Sequence, residues 1–130
     1  MLKLSSKLHV LMYRLSGGRL GEAMNGLPVL LLSTTGRKSG VARTKPVVFL
    51  REGEDLIIAP GVLERPDWYL NLKKSPRVTI QIGNSTRQVQ AIEADPEERS
   101  RLWEKVPEYW RDYQKKAKNE LPLIILRAND

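Results

Sequence analysis

Three apolar runs fall between residues 27 and 59 with only tight turns between them, and no feature of the chain limits its fold more. Residues 28–33 form a short apolar segment suited to a buried strand. Residues 43–51 alternate weakly and read as a second strand, and residues 56–59 as a third. Glu52-Gly53-Glu54-Asp55 reads as the hairpin turn between the last two. No helix fits between these runs. They therefore form an antiparallel meander, which excludes a doubly wound nucleotide-binding fold.

The rest of the chain extends that pattern. Residues 77–82 carry a clean Val78/Ile80/Ile82 alternation, and Gly83-Asn84 turns the chain into a strand over residues 86–94 with Val89 and Ala91 on one face. A last strand spans residues 121–126. A short helix is expected over residues 66–74, with Pro66 in its first turn. Asp95 is a plausible N-cap for a further helix, with Pro96 first and Glu97 and Glu98 suited to its dipole. Leu102, Val106, Tyr109, Tyr113 and Ala117 follow at helical spacing, widened by Trp103 and Trp110, and Pro107 should kink or split that helix. Near the start, Leu4, Leu8, Leu11 and Leu15 make one stripe, so residues 2–16 read as an amphipathic helix stopped by Gly17-Gly18. That helix either docks on the domain or lies against an anionic membrane surface. The sum is an α+β chain. Residues 1–20 form an N-terminal helical segment, and residues 21–130 a small antiparallel barrel of about six strands with two further helices over its mouth or edge.

Composition removes several kinds of chemistry. The 130 residues suffice for one domain and include no cysteine, so disulfides, thiolate metal sites and cysteine nucleophiles are excluded. The single histidine, His9, makes a zinc site or a histidine-based triad a poor expectation, and no metal site is expected. No carboxylate pair falls where an apolar pocket would split its pKa values, and no serine sits in a nucleophile-elbow setting. No apolar run reaches the length of a spanning helix and no signal peptide is evident, so a cytoplasmic location is the expectation.

The first meander turn is the chemically loaded stretch. Ser33-Thr34-Thr35-Gly36-Arg37-Lys38-Ser39-Gly40, with Arg43 just beyond, packs three cations and four hydroxyls into one hairpin. Gly36 and Gly40 can take positive φ and turn amides towards one point. Such a turn suits a phosphate or a carboxylate-rich tail; a solvated basic loop is the other reading. It is not a Walker loop, because Gly36 is followed by Arg-Lys-Ser-Gly and then a strand. A net charge of +7 suits nucleic acid, anionic lipid or an acidic cofactor. Together with Trp68, Tyr69 and Asn71 on one helix and Tyr109, Trp110 and Tyr113 on another, the turn suits a flat, conjugated, acidic ligand; core packing is the other reading of the tryptophans.

The stretch 30–40, followed by Arg43-Thr44 and Pro46, resembles the deazaflavin-dependent nitroreductase family. Residues 66–72, the Pro76-Arg77-Val78 strand start, Asp112-Tyr113-Gln114 and the segment 13–20 fit as well. The resemblance covers nearly the whole chain. It implies a split β-barrel that binds the 8-hydroxy-5-deazaflavin coenzyme F-420, whose tail carries a phosphodiester and glutamates. It assigns that tail to Arg37, Lys38, Ser39, Gly40 and Arg43. It assigns the ring to Pro46, Val47, Val48 and Ala59, with the Pro60-Gly61 loop beside it, and matches Trp68 and Asn71 to the family's helix motif. Tyr109 and Tyr113 border the substrate and are candidate proton donors. The implied activity is hydride transfer from the reduced coenzyme to a quinone, an activated alkene or a nitro-compound, and relatives of this size often pair as homodimers. The chain departs from the pattern twice. The loop after Ala59 is about two residues short and lacks a lysine, and the tyrosines are four residues apart rather than three, which makes Trp110 the candidate for the usual tyrosine place. Flavin mononucleotide (FMN) is the alternative cofactor. The rival readings are a non-catalytic flavin or fatty-acyl binder of the same fold and a basic membrane- or nucleic-acid-binding module.

Overall fold

The structure is a computed structural model, and it describes residues 28–61 and 65–128. The amphipathic helix expected over residues 2–16, its docked or membrane-bound role and the division at residue 20 lie outside the described residues. So do residues 62–64 of the shortened loop.

Seven strands form one sheet: β1 (Val29–Thr35), β2 (Ala42–Val48), β3 (Leu50–Glu52), β4 (Asp55–Ile58), β5 (Arg77–Ile82), β6 (Ser85–Glu93) and β7 (Ile124–Ala128). Their order is β2-β1-β5-β6-β7-β4-β3, and every neighbour pair is antiparallel. The two outermost strands, β2 and β3, are successive parts of the one strand expected over residues 43–51. The chain bends between them at Phe49, whose ring is buried and whose N–H donates to the Pro28 carbonyl at 3.1 Å. One bent run thus joins both ends of the sheet and curls it into a split barrel, so the expected six strands become seven. The expected meander is present: β1 pairs with β2, and β3 with β4. Pro46 is tolerated within β2 because that strand pairs on one side only. The last strand starts three residues later than expected, at Ile124, and Pro122 has no N–H with which to extend the ladder.

Alternation sorts the strand residues into two layers. Leu30, Leu32, Phe49, Leu56, Ile58, Val78, Ile80, Val89, Ile124 and Leu126 fill the barrel interior. The opposite face of β4 and β7 presents Ile57 and Ile125, covered by Leu102, Val106 and Trp110. Leu102 comes from α2 (Pro96–Trp103), Trp110 from α3 (Glu108–Lys116) and Val106 from the link between them, because Pro107 splits the expected long helix and becomes the N-cap of its second half. Asp95 caps α2 as expected, its carboxylate accepting from the Glu98 N–H at 2.8 Å. The first described helix, α1 (Asp67–Lys74), packs against β1 and inserts Leu72 into the barrel core. Its Trp68 and Tyr69 pack at the rim of that core, and this places α1 across one mouth of the barrel.

Candidate functional site

The β1–β2 turn is closed by its own backbone. The Gly36 N–H donates to the Val41 carbonyl and the Gly40 N–H to the Gly36 carbonyl, each at 2.8 Å, and the Val41 N–H donates to Ser39 Oγ at 3.2 Å. Gly40 has φ +73°, as expected of a glycine turn. Gly36 is required for a different reason. A Cβ there would lie 2.7 Å from Ser39 Oγ and 3.0 Å from the Val41 carbonyl oxygen, so close approach rather than positive φ selects glycine. Three of the four turn hydroxyls are engaged or buried. Ser33 and Thr44 bond each other across the strands at 2.8 Å, Thr34 is buried, and Ser39 braces the turn.

The cations divide into two groups. Arg37 folds back. Its N–H and Nη1 both donate to Asn71 Oδ1 at 3.0 Å, its guanidinium pairs with Asp67 at 3.2 Å, and its carbonyl accepts from Lys74 at 3.0 Å. Lys38 and Arg43 are exposed, and among the described residues neither side chain makes a hydrogen bond or ion pair. They line a cavity of about 390 Å³ together with Lys45, which the sequence reading passed over. Among the described residues, the turn's internal bonds do not engage the amides of Lys38 and Ser39. The chemistry of this donor set suits a polyanion.

A second cavity, of about 290 Å³, adjoins the first, and Trp68 lines both. Pro46, Val47 and Val48 of β2 form one wall, and Ala59, Pro60 and Gly61 at the end of β4 another. Tyr109, Trp110 and Tyr113 of α3 form the third. No charged side chain lines it among the described residues. Tyr109 and Tyr113 meet edge to face with centroids 5.2 Å apart. Burial raises the Tyr109 phenol above its ordinary pKa and the neighbouring Tyr113 adds to the rise, against a lowering by the Trp110 indole. Gly61 has φ +76°, and a Cβ there would meet the Tyr113 ring at 3.6 Å. Trp110 is buried, so its indole is at once core packing and cavity wall.

The two cavities therefore gather the expected tail residues Arg37, Lys38, Ser39 and Arg43, the ring residues 46–48 and 59–61, and both candidate tyrosines. Gly40 shapes the turn but does not line the cavity. Besides Lys45, the sequence reading passed over Asp67 as a cavity residue. Lys45 is two residues beyond Arg43 on β2, on the same strand face, and that period was the available signal.

Elsewhere, Tyr69 donates to Glu93 at 2.5 Å and Lys73 to the same oxygen at 3.2 Å. Burial and the Glu93 carboxylate push the Tyr69 phenol up to about 12. Burial pushes the Glu93 carboxyl up, but the bonds from Tyr69 and Lys73 outweigh it and hold the group below its ordinary value. This cluster ties α1 to β6.

Residues 5–128 match the sequence model of the F420H(2)-dependent quinone reductase family. An F420H(2)-dependent quinone reductase of Mycobacterium tuberculosis is 34% identical over 130 aligned positions, which cover 92% of this chain and 87% of the relative. Among solved structures, an F420-H2 dependent reductase (FDR-A) superposes with a TM-score of 0.68 at 29% identity, covering 77% of this chain and 94% of that one. A chain described as a domain-swapped dimer has the same TM-score of 0.68 at 25% identity, covering 91% of this chain and 98% of that one.

Proposed function

The chain belongs to the F420H(2)-dependent quinone reductase family, and we propose that it binds reduced coenzyme F-420 across the two cavities and reduces a neutral quinone. The carrying observation is that a cation-lined cavity and an uncharged aromatic cavity meet at Trp68. This is the outline of a flat ring with an acidic tail. Lys38, Arg43 and Lys45, with the Lys38 and Ser39 amides, hold the phosphodiester and the glutamates. Pro46, Val47, Val48, Ala59, Pro60 and Gly61 form the bed for the ring, with Trp68 at the junction. The coenzyme, when bound, supplies a hydride.

The protein's own part is position and proton supply. Reducing a quinone to a hydroquinone takes a hydride at one end and a proton on oxygen. Tyr109 and Tyr113 are the hydroxyls bordering the uncharged cavity, and they are the groups placed to donate that proton. The lack of charged lining favours a neutral, flat acceptor over an anionic one. A homodimer is the assembly we propose, supported by the likeness to the domain-swapped dimer; light scattering at micromolar concentration tests it.

The direct test is anaerobic turnover of reduced coenzyme F-420 with a simple naphthoquinone. Turnover by the wild-type chain, with Lys38→Ala raising KM for the coenzyme while its melting temperature and the KM for quinone stay put, supports the assignment. No turnover above the spontaneous rate, with any of the three acceptor classes, overturns it.

A further inference from the structure

Thr34 and Asn71 are the two buried polar side chains among the described residues, 2% and 3% exposed, and they touch each other. Burying an amide is unfavourable unless its bonds are made, and here they are. Asn71 Nδ2 donates to Thr34 Oγ1 at 3.2 Å, while Asn71 Oδ1 accepts both the main-chain N–H and the Nη1 of Arg37. A leucine at position 71 would pack against the same core. The polar pair instead ties the end of β1 and the basic turn to one point of α1.

We propose that Asn71, held by Thr34, is a positioning residue for the anion-binding turn, and that Arg37 serves as its latch rather than as a contact to the ligand. The proposal rests on the functional reading above and deepens it. Three consequences of the geometry support it. The latch engages the Arg37 amide and both terminal nitrogens of its guanidinium, which turns Arg37 towards α1 rather than towards a ligand. It cancels the Asp67 carboxylate, which lines the same cavity and would otherwise repel an anion. It also fixes α1 in register with the turn. Trp68 lies three residues before Asn71, hence on the same face of α1, so the latch sets the spacing between the cation-lined and aromatic cavities. A ligand spanning both needs that spacing; a ligand filling only the aromatic cavity does not.

The test uses Thr34→Val, which keeps the volume and removes the hydroxyl, with Asn71→Ala as the stronger break and Thr34→Ser as the rescue. Two readouts separate this inference from the functional one. The first is amide hydrogen exchange over residues 36–41 in the ligand-free protein. We expect exchange at least about tenfold faster in Thr34→Val and Asn71→Ala, and near wild type in Thr34→Ser. Unchanged exchange in both overturns the latch whatever the protein binds. The second is affinity for the whole coenzyme against its deazaflavin–ribityl fragment, which lacks phosphate and tail. Loss of about tenfold or more for the coenzyme with less than a twofold change for the fragment supports a positioning role. Equal loss for both, or none for either, overturns it. Failure of the wild-type chain to bind the coenzyme counts against the functional reading alone, because the exchange readout still decides the latch.

Discussion

Gly36→Ala is expected to destabilise the protein through one tight contact. The new methyl would sit 2.7 Å from Ser39 Oγ and 3.0 Å from the Val41 carbonyl oxygen. The serine can rotate away, but then it gives up the bond it accepts from the Val41 N–H at 3.2 Å. The carbonyl is main chain and also accepts the Gly36 N–H at 2.8 Å, so relief lengthens the bond that closes the turn. Two weakened hydrogen bonds cost about 2 kcal/mol together. Reduced freedom of the unfolded chain returns about 0.7 kcal/mol, leaving a loss of about 1.3 kcal/mol. At about 2.1 cal/mol/K per residue the unfolding entropy of such a domain puts that loss at about 5 °C in Tm. Scanning calorimetry measures it. The double variant Gly36→Ala/Ser39→Ala removes the closer contact, so it should melt above the sum of the two single effects. A Gly36→Ala protein that melts within about 1 °C of wild type, or strict additivity in the double variant, would refute the close-approach account.

Other perturbations probe the supporting structure. Trp110→Ala removes a buried indole from under α3 and should cost about 3–5 kcal/mol, read as a loss of more than about 10 °C in Tm. Arg99 donates to the Leu121 carbonyl at 2.8 Å and to Gln114 at 3.1 Å while stacking over Trp103. Arg99→Lys keeps the charge and loses the fork, so denaturant unfolding should show a loss of about 1–3 kcal/mol. Tyr69 is raised to about 12 in the fold, above its ordinary value near 10. Its contribution is therefore complete below about pH 10 and is lost as pH rises through about 12. Unfolding midpoints taken from pH 8 to pH 11 should fall more steeply in the wild type than in Tyr69→Phe, and parallel curves would rule the linkage out.

The strands were legible wherever residues alternate, as at Val78 and Ile80, and helix ends wherever a local cap exists, as at Asp95 and Pro107. The cationic turn and the aromatic set were also legible, since both are runs of residue types whose chemistry is local. What escaped was long-range. Arg37 is captured by Asn71, 34 residues away, and nothing near Arg37 distinguishes it from Lys38. Gly36 and Gly40 look alike in the sequence, but one answers to crowding and the other to backbone torsion. The bend at Phe49 depends on both sheet edges coming together, which no single stretch encodes.

The most direct test of a site shared between tail and ring is a fluorescence titration of the purified chain with oxidised coenzyme F-420, with flavin mononucleotide alongside. Saturable, salt-sensitive binding of the deazaflavin, at least about tenfold tighter than of the flavin, is the expected result. Binding of the flavin alone, or of neither, would contradict the assignment of these cavities.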